Sequence, residues 1–221
     1  MQNNCNIVKN KLNMIISGME KNAAAFVVDL KRDFIRKSEL SFSKTMKFIL
    51  GMASQTLGKE LLDFYHFGPK IVSVSAIVQR RAKILPSAFQ HLFHEFNKAF
   101  SQTSFFHGYR LYAVDSSDIH IPTNPDDKRT FLGAADDIKG YNLIHLNAFY
   151  DLLNRRFIEA VLQDRRDENE NNALINILEN VAHDTIIVVN RGYESYNNIA
   201  HLEAKGLKYV IRVRSKCGIA D

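Results

Sequence analysis

The architecture follows from the stretch TIIVVNRGYESYNNIAHLEAKGLKYVIRVR, residues 185–214. Its opening TIIVV is continuously apolar, as a strand buried on both faces should be. Gly192 permits a sharp turn out of that strand. YNNIAHLEAKG then reads as a helix with Gly206 placed as its C-cap, and LKYVIRVR, 207–214, alternates as a half-buried strand. Strand, helix and strand in about thirty residues form a crossover unit that makes the two strands parallel. The residues from Asn190 onward therefore fall at the carboxyl end of a parallel strand, where open α/β sheets build their sites. From spacing alone, the same turn also suits an ordinary strand-to-helix loop.

Upstream, Ala173, Leu174, Ile177, Leu178 and Val181 are spaced as the apolar stripe of a helix. Before it, NLIHLNAFY (142–150) and RFIEAVLQ (156–163) read as strands, and the short DLLNR link makes them a hairpin. RLYAVDSSDIHIP, 110–122, has the β-branched and aromatic content of a strand, which Pro122 ends. NPDDKRTFLGAADDIKG, 124–140, is polar and turn-rich and is expected to be a loop. The order β-β-β-α-β-α-β predicts an antiparallel meander followed by parallel crossover units, an α/β domain over residues 105–221. Asp115 shares its strand face with Leu111, Ala113, Ile119 and Ile121. A carboxylate on a mainly apolar face is costly unless a cation, an arginine or several N–H donors meet it.

Residues 1–104 read as helical. Phe26, Val27, Leu30 and Phe34 fall on one helical face, Leu57, Leu61, Leu62 and Tyr65 on another, and Phe89, Leu92, Phe93, Phe96 and Phe100 form a third stripe after Pro86. These stripes suit the core of a helical bundle. Between them, VSVSAIVQRRAKIL offers Ser73 or Ser75 as the N-cap of a short helix carrying Arg80, Arg81 and Lys83. A short basic helix behind a longer one is how helix-turn-helix modules reach DNA, although a solvated helix fits the pattern as well.

Composition bounds the rest. Of 221 residues, 46% are hydrophobic and 24% charged, enough for a packed core. Residues 1–104 hold 15 Lys+Arg against 7 Asp+Glu, a balance of +8, while residues 105–221 hold 14 against 17, a balance of −3. A basic half beside an acidic half fits a DNA-holding module joined to a cation-holding one, and ordinary variation between solvated faces gives the same numbers. Cys5 and Cys217 form no CxxC pair and suggest neither a disulfide framework nor a zinc ribbon. With no apolar run of membrane length and no signal-peptide core, the expectation is a soluble protein of a reducing compartment.

Taken together, these segments resemble DDE transposases of bacterial insertion sequences, of the insertion-sequence-four type. LYAVDSSDIHIP is similar to the family's first acidic motif, Asp-Gly-Ser on the first strand. The run from YNLIHLNAFYDLLNRRFIEAVLQ through NENNALINILEN resembles its second and third strands and connecting helix. IIVVNRGYESYNNIAHLEAKGLKYVIRVR matches its second acidic motif, Asp-Arg-Gly-Tyr, and QRRAKILPSAFQHLFHEFN resembles its N-terminal domain. The resemblance covers residues 70–215 and implies an RNase H-like fold in which the first and fourth strands are neighbours. Strands about 4.8 Å apart would then bring Asp115 and residue 190 together. In the intact family, two such carboxylates hold a pair of Mg²⁺ or Mn²⁺ ions about 3.5–4 Å apart for DNA strand cleavage and strand transfer. The implied partners are double-stranded transposon ends and target DNA in the bacterial cytoplasm, at the nucleoid, with a homodimer on DNA compatible with them.

Two departures from the family set the functional expectation. The position of its second aspartate is Asn190, which offers a carbonyl oxygen but no charge to a hard cation. Its third acidic residue, a glutamate on a helix after the last strand, has no counterpart before Asp221; Tyr209 and Arg212 echo the spacing, but Lys216 stands at the glutamate position. The expectation is an incomplete RNase H-like domain, truncated before its glutamate helix, with Asp115 and Asn190 as weakened catalytic and metal positions. Arg80, Arg81, Lys83 and Arg191 are the candidate DNA contacts; Arg191 could equally hold an acidic neighbour. Asp118, on the opposite strand face from Asp115, reads as a rim residue. His91 and His94 lack a third metal ligand, and Glu168 and Glu170 read as helix N-terminal acids favoured by the macrodipole. Two functions remain open: an impaired transposase, or a non-catalytic protein that binds transposon ends or interferes with an intact transposase.

Overall fold

A computed structural model of the chain describes residues 2–100, 103–133, 139–165 and 169–213. The chain divides between residues 101 and 102 into two units, each with its own core.

The second unit is built on six strands: β1 (Arg110–Ile121), β2 (Phe131–Leu132), β3 (Tyr141–Asp151), β4 (Arg156–Asp164), β5 (Thr185–Val189) and β6 (Lys208–Ile211). β3 pairs antiparallel with both β1 and β4, whereas β5 pairs parallel with β1 and β6. The sheet is therefore mixed: β1, β2 and β4 run antiparallel to β3, while β5 and β6 run parallel to β1, and the strands expected at 110–121 and 185–189 lie side by side. The hairpin between β3 and β4 is tied by the buried Asp151, whose Oδ1 accepts from the backbone N–H of Leu153 and Asn154.

The crossover helices are capped as their sequences dictate. α6 (Glu170–Leu178) begins at Asn169, whose side chain accepts from the Asn172 N–H. α7 (Tyr196–Ala204) begins at Ser195, which accepts from Asn198, and ends before Gly206 at φ +62°. Their apolar faces carry Leu174, Ile177, Leu178 and Leu202 onto Tyr112, Val114, Phe149, Ile187 and Val189 of the sheet. Each such side chain contributes about 1.5–3 kcal/mol on burial.

That packing corrects three expectations. Burial in β5 alternates: Thr185, Ile187 and Val189 are buried and Ile186 and Val188 only half-buried, because the core forms on the α6–α7 face. In β1 the core phase is Tyr112 and Val114, so the face of Asp115 is the less covered one and Asp115 itself is exposed. Its carboxylate carries no burial cost. The stretch 124–140 is not wholly loop. β2 pairs with β3, and the fully buried Asn142 anchors the segment by accepting from the Asn124 N–H at 2.7 Å and donating to Thr130 Oγ1 at 2.8 Å. Residues 134–138 of that stretch lie outside the described residues.

The first unit holds α1 (Gln2–Lys21), α2 (Phe42–Gly51), α3 (Leu57–Phe64), α4 (Val74–Arg81) and α5 (Pro86–Lys98). Ile16, Met19, Phe42, Met46, Ile84 and Leu92 form one cluster, and Leu40, Phe48, Leu61 and Ile77 another. Ser73 is the N-cap of α4, accepting from the Ala76 N–H at 3.1 Å. The stripe predicted over Phe26 to Phe34 is not a helix. Residues 23–26 form a single 3₁₀ turn, Val27 pairs with Ile84 in an isolated bridge, and Asp29 and Asp33 bind local backbone N–H groups. Side chains that accept from their own backbone compete with helix formation, and here they win. Leu30 is left exposed as a result. No described helix is long and apolar enough to cross a membrane.

Candidate functional site

Asp115 sits in β1 opposite Ala148 of β3, one residue beyond the last β1–β5 partners, Val114 and Val189. Asn190 is the first residue past β5. Parallel register therefore brings the two positions together although they are 75 residues apart in sequence. Asn190 Nδ2 donates to Asp115 Oδ1 at 3.0 Å, and Asp115 Oδ1 also accepts from the Ser116 N–H at 3.0 Å.

The other end of the Asn190 amide is equally engaged. Its Oδ1 accepts from the Gly192 N–H at 2.7 Å and caps the 3₁₀ turn Arg191–Tyr193. These two bonds fix the amide in one orientation, since a backbone N–H needs an oxygen and a carboxylate needs a donor. Gly192 leaves the turn close-fitting: a Cβ there would lie 3.0 Å from Asn190 Oδ1, tight enough to press on that side chain.

A second polar group lies on the face of β1 that carries Tyr112 and Val114. Ser116 Oγ donates to Glu170 Oε1 in the first turn of α6. His145 of β3, opposite Asp118 in the register, sets Nδ1 at 2.8 Å from Asp118 Oδ1 and Nε2 at 3.6 Å from Glu170 Oε1. The hydrogen bond from His145 holds the Asp118 carboxyl below its ordinary value. Tyr193, fully buried, has its hydroxyl pushed up to about 12 by burial first and then by the charge of Glu170.

The sequence-derived candidates thus separate. Asp115 and Asn190 meet. Arg191 is exposed beside them, with no ion pair among the described residues. Asp118 is exposed, as a rim residue would be, and is also the partner of the buried His145. Glu170 reaches Ser116, a contact that its reading as a helix N-terminal acid did not include; Glu168 lies outside the described residues. In the first unit, Arg80 donates to Ser38 Oγ at 2.9 Å and Lys83 pairs with Asp33 at 2.8 Å, so both are engaged within the unit, whereas Arg81 is exposed. His91 meets the Phe26 ring at a tilt of 40° and His94 meets Phe93 edge-on. The group missed from sequence is Ser116, His145 and Tyr193. Its legible signal is polar residues at core-phase strand positions, His145 and Asn147 among them, which only a buried network explains.

Residues 106–221 match the family model of the transposase DDE domain. The match takes in more than half of the chain, and the chain belongs to that family. No curated protein matches it. Two solved structures are similar to it, a pre-cleavage Mos1 transpososome and a Mos1 transposase paired-end complex with the left transposon end. Each is 12% identical over 82% of this chain, with a TM-score of 0.33. The chain spans 63% and 61% of the lengths of those two transposase chains.

The Mg²⁺ or Mn²⁺ that the resemblance implies at Asp115 and Asn190 does not fit the donor set as it stands. Hard cations take charged oxygens. Here Asp115 offers one carboxylate, already meeting the Asn190 amide, and the single oxygen of Asn190 is turned into the backbone of Gly192. Among the described residues no three His, Cys, Asp or Glu side chains are grouped to hold a metal ion.

Proposed function

We propose that this chain is a transposase of the bacterial insertion-sequence-four type whose strand-cleaving site is disarmed and whose remaining function is to hold double-stranded DNA. Residues 105–221 would be its RNase H-like catalytic domain and residues 1–104 its DNA-binding region. The observation that carries the reading is the Asn190–Asp115 hydrogen bond at 3.0 Å. It occupies the meeting place of the two acidic positions with a neutral donor. Where an aspartate pair would repel and require a cation between them, the amide satisfies Asp115 directly. Family membership supports the transposase class, and the balance of +8 over residues 1–104 supports phosphate binding by that half. A chain of this kind acts on DNA in the bacterial cytoplasm.

The test is a supercoiled-plasmid assay with the purified chain and millimolar Mg²⁺ or Mn²⁺, run beside a gel shift on linear duplex. The expected result is binding that weakens steeply with salt and nicking no greater than that of the Asp115→Ala variant. Metal-dependent nicking that Asp115→Ala abolishes would overturn the disarmed reading. Absence of any duplex binding would overturn the DNA-holding one.

A further inference from the structure

The first unit contains a cleft of about 620 Å³ between the segment 31–40 and α4. Lys31, Arg32, Arg36, Arg80 and Lys83 line it, and Glu39 is the one acid among its described lining residues. The local charges do not cancel. Glu39 is paired with Lys44, outside the cleft, and Asp33 is taken by Lys83. The side chains of Lys31 and Arg36 have no ion-pair partner among the described residues, and Arg32 reaches Asp29 only at 3.9 Å from an 86% exposed position.

One of the cations is held in place. The Arg80 guanidinium lies over the Phe34 ring at 5.1 Å and donates to Ser38 Oγ at 2.9 Å. A planar fork fixed by a ring face and one hydrogen bond keeps its other N–H donors aimed in a set direction, which is the geometry that takes a phosphate. The Phe34 ring is available because residue 34 stands at φ +58°, outside any helix. The turn that broke the predicted helical stripe also carries Lys31 and Arg32 to the cleft.

We propose that this cleft is a phosphate seat for the backbone of duplex DNA, with Arg80 as its fixed donor and Lys31, Arg32 and Arg36 as mobile cations at its mouth. The proposal rests on the DNA-holding reading above and adds the place where the unit grips. It differs from a helix-turn-helix reading in which α4 alone reads bases: a phosphate seat is indifferent to sequence.

The experiment measures duplex binding by fluorescence anisotropy across a salt series, for the full chain and for two double variants. Lys31→Ala/Arg36→Ala removes two exposed cleft cations, and Lys9→Ala/Lys59→Ala removes the same charge elsewhere on the unit. Circular dichroism melts check that both variants fold as the parent does. Removing one cation that neutralises a phosphate lowers the slope of log affinity against log salt by about 0.9. The cleft variant should therefore show a slope shallower by roughly 1.8 on duplexes of unrelated sequence, with the control close to the parent. Equal slopes for cleft variant and control would overturn the seat while leaving DNA binding intact. No duplex binding by the parent would overturn both readings. Binding of labelled dAMP without duplex binding, abolished in the cleft variant, would assign the cleft to free phosphoesters instead and overturn the backbone assignment.

Discussion

Asn190→Asp is the substitution that most directly questions the site. It keeps the oxygen that caps the Gly192 N–H and replaces the donor that now meets Asp115 at 3.0 Å with a second carboxylate oxygen. Two like charges about 4 Å apart repel by about 1 kcal/mol in water and by about 4 kcal/mol at an effective dielectric of about 20. Both residues are exposed, so the low end of that range governs. Loss of the amide hydrogen bond adds about 1 kcal/mol. The total of about 2 kcal/mol corresponds to a fall of roughly 4–8 °C in melting temperature for a chain of this size. Thermal unfolding by circular dichroism in EDTA and in millimolar MnCl₂ tests this. The parent should melt at the same temperature in both. Asn190→Asp should melt lower in EDTA and recover in Mn²⁺, because the cation now binds the folded form, and adding Asp115→Asn should remove the metal response. A parent that already gains several degrees in Mn²⁺, or an Asn190→Asp variant indifferent to it, would refute the view that the amide stands where a cation would.

Two further outcomes follow from the geometry. Because the folded Asp118 carboxyl titrates below its ordinary value of 3.8 through the His145 hydrogen bond, its contribution to stability is complete above pH 3.8 and is lost as pH falls through the lower folded value. Urea unfolding across that acid range should show a shallower loss of stability in Asp118→Asn than in the parent, and an equally steep loss would refute the linkage. In the first unit, the buried Glu60 accepts from the Ala53 N–H at 2.9 Å and the Gln55 N–H at 3.0 Å with the same oxygen. Glu60→Ala orphans both donors and should cost about 1–3 kcal/mol, with Glu60→Gln losing less; a change in denaturation midpoint within error for Glu60→Ala would contradict that role.

Features that depend on neighbours along the chain were legible in the amino-acid order. The crossover at 185–211, the hairpin over DLLNR, the cap at Ser73 and the C-cap at Gly206 are local, because turn geometry and capping use residues within about four positions. The meeting of Asp115 with Asn190 was legible only through the family's strand order, and the sheet register brings it about. Long-range packing was needed to choose which face of β1 and β5 is covered, since α6 and α7 pack on one side and leave Asp115 on the other. It was needed again for residues 26–34, which turn instead of coiling: Asp29, Asp33 and the Val27–Ile84 bridge outweigh an apolar spacing that suits a helix equally well. The same holds for the Asn190 amide. Its residue type is written in the sequence, but its direction is set by a carboxylate 75 positions away and a backbone N–H two positions on, which only the folded chain brings to the two ends of the amide.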